Sequence, residues 1–269
     1  DEAQPPQSFS HLVSLTHRHA SALVIAIPSS PSFAFSAQDF ALALRARMQL
    51  PCGLTPIADT PAHTLLSQGG VRIAVHNALR DAILRAAALS DHHIRAEPKQ
   101  IYDLPPNSTV DGVIEEAEAT GVATSVLHAR SAFDVFTASD AANVARYTAE
   151  KDRKYREAVQ AAGDAFFTVP FTPSGTPYPA AMPLLEKIVH TGDKLPMTVG
   201  RDAPRFIHDS TSYVTATHTN HTIHACTAAA MRAATVAMRK YARTRATNHG
   251  LLANTMLNPP VVPIPTMVP

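Results

Sequence analysis

Between residues 71 and 171, two long helical runs alternate with three short apolar ones, and this alternation limits the fold more than any other feature of the chain. Residues 71–89 (VRIAVHNALRDAILRAAAL) carry Ile73, Leu79, Ile83 and Leu84 at helical spacing. Residues 140–162 read as a second helix. Residues 110–114, 131–138 and 165–171 are short and contain valine, isoleucine or phenylalanine, the composition of strands. Such interleaving predicts an α/β core: one sheet holding the three strands, with the two helices on its flanks.

Carboxylates stand at the ends of these runs. Glu97 precedes the first, Asp111 and Asp134 lie in the first and second, and Lys154 follows on the next helix. A hard cation such as Mg²⁺ takes oxygen ligands and keeps several waters. Held by carboxylates, it polarises a phosphate and lowers the pKa of an attacking water. A nearby ammonium then neutralises charge that develops in the transition state. Acids on neighbouring strand ends, followed by a lysine, are therefore what phosphodiester cleavage needs. Plainer readings stand beside this one. Asp111 and Asp134 can be solvated rim carboxylates, Glu97 can merely begin a strand, and Lys154 can belong to a basic helix face with Lys151, Arg153 and Arg156.

The blocks GGVRIAVHNALRD (69–81), Glu97-Pro98, Val110-Asp111, Asp134-Val135, Lys154-Tyr155 and Pro170-Phe171 occur in an order that resembles a known domain. It is the restriction-endonuclease-like domain of site-specific, early-branching non-LTR retrotransposons. The segment FAFSAQDFALALRARMQLPCG is similar to that family's lead-in to its Cys/His knuckle. The resemblance spans roughly residues 14–188, and more loosely the helix after His221. It implies a central mixed sheet flanked by helices, with helical N- and C-terminal extensions. It also implies Mg²⁺ on Asp111 and Asp134, Glu97 orienting a water, and Lys154 stabilising the pentavalent phosphate. The chain departs from the pattern at the knuckle. Leu50 and Ser67 stand where cysteines are expected, and only Cys52 and His63 remain. Two ligands cannot close a tetrahedral zinc site, so no zinc is expected. Thr109-Val110-Asp111 replaces Arg-Pro-Asp, and Phe136 stands where related folds carry a lysine or threonine.

The chain has 269 residues with 45% apolar content, enough to bury a substantial core as one domain with appendages. The expected parts are an N-terminal extension over 1–68, a nuclease-like core over 69–190 and a C-terminal extension over 191–269. Residues 36–48 read as a helix capped by Ser36, and residues 184–188 belong to a short one. Residues 223–247 read as one long alanine-rich helix, and the closing NPPVVPIPTMVP as an extended strip that binds a partner. That helix offers Arg232, Arg239, Lys240, Arg243 and Arg245, either as a solvated face or as contacts for RNA or DNA phosphates. His218, His221 and His224 recur by three without a cysteine or acid to complete a metal set, and Cys226 reads as a small buried apolar residue.

A formal net charge of +1 is unlike a generic nucleic-acid binder, so any such binding must rest on local patches. Two cysteines without a spacing motif argue against a disulfide framework and fit a reducing, intracellular compartment. No apolar run is long enough to span a bilayer, and no signal or transit peptide is visible. A first residue Asp1 instead of methionine reads as a processed form or a fragment.

Two functions compete. One is a repurposed nuclease fold serving as a structural or RNA-contacting subunit of a large assembly, such as an organellar ribonucleoprotein or mitochondrial ribosome, with no cofactor. The other is a working Mg²⁺-dependent DNA endonuclease of retrotransposon origin. A plain protein–protein adaptor is a third, weaker option. Carboxylates of Asp111 and Asp134 that stand far apart, or a pocket filled by the chain itself, would favour the first.

Overall fold

The computed structural model describes residues 35–47, 69–90, 92–115, 130–188 and 218–248. Cys52, His63 and the proline-rich tail lie outside them. The first described element is helix α1 (Ala37–Arg47). Ser36 caps it, its Oγ accepting from the Asp39 amide at 3.0 Å and donating to Asp39 Oδ2 at 2.7 Å. Helix α2 (Gly69–Leu89) follows, then strands β1 (His93–Ala96), β2 (Gly112–Glu115) and β3 (Arg130–Thr137).

Helix α3 (Ala141–Lys151) runs into a π-turn (Asp152–Arg156) and then α4 (Glu157–Ala161), and the chain returns as β4 (Ala165–Phe171). Asp140 caps α3 by accepting from the Asn143 amide at 2.8 Å. A 3₁₀ turn (Pro179–Ala181) leads into α5 (Met182–Lys187), and the long α6 (His218–Asn248) closes the described chain.

The four strands form one mixed sheet in the order β1-β2-β3-β4. β1, β2 and β3 pair antiparallel in sequence, while β4 lies parallel to β3. The connection from β3 to β4 is the helical one, as a parallel pair requires.

Alternation along β3 sends Phe133 and Val135 to one face and Ala132, Asp134 and Phe136 to the other. The first face carries the larger core, where α2 and α6 cover Ile114, Phe133, Val135, Val169 and Phe171. The long C-terminal helix is therefore part of this core, contributing Ile223, Met231 and Met238, all essentially buried. The second face has its own cluster, in which Tyr155 and Val159 cover Val113, Ala132 and Phe166.

The apolar stripe of α2 differs from the sequence expectation. Val71, Val75, Leu79 and Ile83 are buried at intervals of four, whereas Ile73 is 59% exposed. Ile73 precedes Leu79 by six residues, a rotation of about 600°, which leaves it roughly 120° off the stripe. Gly112 permits the close approach of α2 to the sheet. A Cβ there would stand 2.6 Å from the Phe133 ring and 3.0 Å from Leu84.

Candidate active site

Three acids stand beside the paired residues. Gly112 is opposite Phe133 and Ala96 is opposite Gly112. Asp111 directly precedes Gly112, Asp134 follows Phe133 and Glu97 follows Ala96. The Asp111 amide donates to Phe133 O and the Glu97 amide to Asp111 O, each at 3.0 Å. Asp111 bonds the amide of Val135, the residue after Asp134, so the two acids are neighbours, and both are buried.

Each carboxylate has defined partners. Asp111 Oδ2 accepts from the Val135 amide at 2.5 Å, and its Oδ1 lies 3.0 Å from His76 Nε2 on α2. Asp134 Oδ1 lies 2.8 Å from Lys151 Nζ, at the end of α3.

The electrostatics follow from this crowding. Burial first, and the Asp111 charge second, push the Asp134 carboxyl up to about 6, against the pull of Lys151 and His76. The hydrogen bond to Asp111 holds the His76 pKa above its ordinary value, although burial opposes it. Burial likewise works against the Lys151 charge, but Asp134 outweighs it and the pKa stands above the usual lysine value.

The remaining residues of the expected set are placed differently. Glu97 bonds Asp111 through its backbone amide, but its backbone is left-handed (φ 42°) and its side chain pairs with Arg80 Nη1. Lys154 is exposed, with its ammonium 4.9 Å from the Tyr155 ring centroid. It is Lys151 that meets Asp134. In an uninterrupted α-helix residues three apart share a face; the π-turn that begins at Asp152 spends an extra residue per turn and rotates Lys154 away.

His76 and Arg80 belong to the HNALRD block, yet their roles had no signal in sequence alone. Only the way α2 crosses the sheet shows which of its side chains reach β2 and the residue after β1.

On α6, Arg239 pairs with Asp39 of α1 at 3.2 Å and donates to Gln38 Oε1 at 3.2 Å, and so ties two helices together. Arg232 is half-buried and Lys240 exposed, while the side chains of Arg243 and Arg245 fall outside the described residues. Helix α6 does begin at His218, and Cys226 is buried, which pushes its thiol up to about 12.

Beside the acids a cleft of about 390 Å³ opens between α2 and α3. Arg72, Ile73 and His76 form one wall, Tyr147, Glu150 and Lys151 the other, and Val135 to Thr137 of β3 the floor. Among the described residues no three His, Cys, Asp or Glu side chains converge to hold a metal ion, and no helix is long and apolar enough to cross a membrane. No protein-family model, curated protein or solved structure matches this chain.

Proposed function

We propose that this chain is a divalent-metal-dependent phosphodiesterase of nucleic acid, built on a restriction-endonuclease-like core of the kind found in retrotransposons. The observation that carries this reading is the bond from the Val135 amide to Asp111 Oδ2, which brings that carboxylate beside Asp134, with Lys151 2.8 Å from the second acid. The element order, a helix, three antiparallel strands, a helix and a parallel strand, supports the same fold family.

The donor set suits a hard cation. Two neighbouring carboxylates offer only oxygen, and Asp134 carries an ionisation penalty that positive charge relieves. Magnesium is commonly held by one or two carboxylates together with substrate phosphate, so it needs no all-protein cage. Asp111 and Asp134 would hold it, and there it would polarise a phosphate oxygen and lower the pKa of a water. Val135 and His76 fix the Asp111 carboxylate in place. Lys151 sets an ammonium where negative charge grows as the oxygen of water bonds to phosphorus and the ester P–O bond breaks. The departing alkoxide takes up a proton, leaving an alcohol and a phosphate monoester.

The test is cleavage of end-labelled DNA and RNA by the full chain with Mg²⁺ or Mn²⁺. Asp111→Asn and Asp134→Asn should abolish it. Lys151→Met should lower it by about 10²–10³, the usual range for losing one group that stabilises transition-state charge, while Lys154→Met should retain most of it. A wild-type chain that cuts no nucleic acid with either metal would sink the catalytic reading.

One observation favours the second reading, a non-cutting subunit of a ribonucleoprotein such as a mitochondrial ribosome. The third acid, Glu97, is paired with Arg80. Under that reading the tagged chain sediments with large particles, and ribonuclease treatment releases it.

A further inference from the structure

Ile73 is one of three exposed large hydrophobic residues among those described, and it lines the cleft between α2 and α3. Its neighbours on α2 are Arg72 and His76, and Glu150 and Lys151 face them from α3. His76 and Lys151 are paired with Asp111 and Asp134, so Arg72 adds positive charge that one acid across the cleft, Glu150, partly offsets. An apolar side chain standing in water beside an arginine suits a ligand that is flat and apolar on one side and anionic on the other. The opposite wall carries one aromatic ring. Tyr147 is held edge-to-face by Phe136, at 5.8 Å and 68°, and carries the Arg146 guanidinium 4.7 Å over its ring.

Resting on the phosphodiesterase reading above, we infer that the cleft takes one unpaired nucleotide of a single strand. Its base lies on Ile73 and its phosphate is reached by Arg72 and Lys151. The volume decides between strand types. At about 390 Å³ the cleft is near the lower end of small-ligand pockets. It has room for one nucleotide unit but not for a duplex, which can only ride on its rim. The chemistry agrees. In a duplex the base faces are hidden by stacking and only edges are offered, so Ile73 gains nothing. An unpaired base exposes a face that stacks on aromatic and apolar side chains without regard to sequence.

The experiment is fluorescence anisotropy with the full chain in EDTA. The probes are labelled oligothymidylate, oligouridylate, an abasic strand of equal length and a hairpin duplex. The expected result is single-strand binding about tenfold tighter than duplex binding, with Ile73→Ala costing about fivefold on the thymidylate and nothing on the abasic strand. Arg72→Gln should weaken both strands alike.

Equal or tighter duplex binding overturns the inference, as does an Ile73→Ala loss that is the same with and without bases, or no binding to any probe. The two readings fail separately. Base-dependent single-strand binding without metal-dependent cleavage keeps this inference and removes the catalytic one. Duplex cleavage without single-strand preference does the reverse.

Discussion

The amide of Val135 donates to Asp111 Oδ2 at 2.5 Å, so the carboxylate of one acid closes the β2–β3 ladder that presents the other, Asp134. Where the antiparallel pairing ends, the side chain does the work of a backbone carbonyl. Asp111 therefore has a structural duty on one oxygen and faces His76 with the other.

That division separates two substitutions. Asp111→Asn keeps an acceptor for the Val135 amide and should fold nearly as well as wild type. Asp111→Ala leaves a buried N–H without a partner and should cost about 1–3 kcal/mol in urea denaturation. Equal stability of the two variants would show that the bond carries no weight.

Asp134 should make the metal-free protein less stable as pH rises. Its folded pKa, about 6, stands above the ordinary 3.8. The protonated form is thus favoured by the fold: this contribution is fully present below about 3.8 and is lost as pH rises through about 6. Asp134→Asn removes the dependence. In EDTA the variant should gain on wild type between pH 4.5 and 7.5, by on the order of 2 kcal/mol. A constant difference across that range would contradict the assignment.

Gly175 adopts φ +79° in the loop after β4, and a Cβ there would stand 2.6 Å from Ala230 Cβ and 3.0 Å from Thr227 Cα on α6. Thr227 Oγ1 donates to Gly175 O across the same contact, at 3.0 Å. Gly175→Ala should combine backbone strain with overpacking and cost about 1–3 kcal/mol. Hydrogen exchange should report the loss as faster opening of α6; unchanged protection there would argue against it.

The Arg239–Asp39 pair is partly solvated, with both side chains about a quarter exposed. Arg239→Ala should change global stability by no more than about 1 kcal/mol. It should nevertheless loosen α1, seen as faster exchange over residues 37–47 alone. A large global loss would mean that α1 holds more of the core than Leu42 and Ala43 provide.

Sequence periodicity reached the elements with strong patterns. β4 forms over the expected 165–171, the helix expected over 71–89 spans 69–89, and the one expected over 140–162 is interrupted by the π-turn. β1 was not legible: His93–Ala96 is four residues, exposed throughout, and held by pairing to β2 instead of by burial. Ile73 looked like core because a short window cannot separate a true stripe from a residue about 120° off it. The site was half legible. Asp111 and Asp134 could be picked as acids on short apolar runs, although Asp111 precedes β2 and Asp134 sits in the middle of β3 instead of at a strand end; the choice of Lys151 over Lys154 depends on a π-turn that no residue pattern announced. His76 and Arg80 are chosen by the crossing of α2 over the sheet, which is a tertiary fact.

The burial of Ile223, Met231 and Met238 against α2 has a temporal side. A ribosome adds residues at roughly 5–20 per second. The acids, Lys151 and all four strands leave it before position 218, where α6 begins. For several seconds the nascent sheet has its chemistry in place while the apolar side around Phe133 and Val169 is covered by α2 without α6. That interval is when a chaperone would be expected to bind, and when a chain halted short of α6 would be prone to clump with its copies.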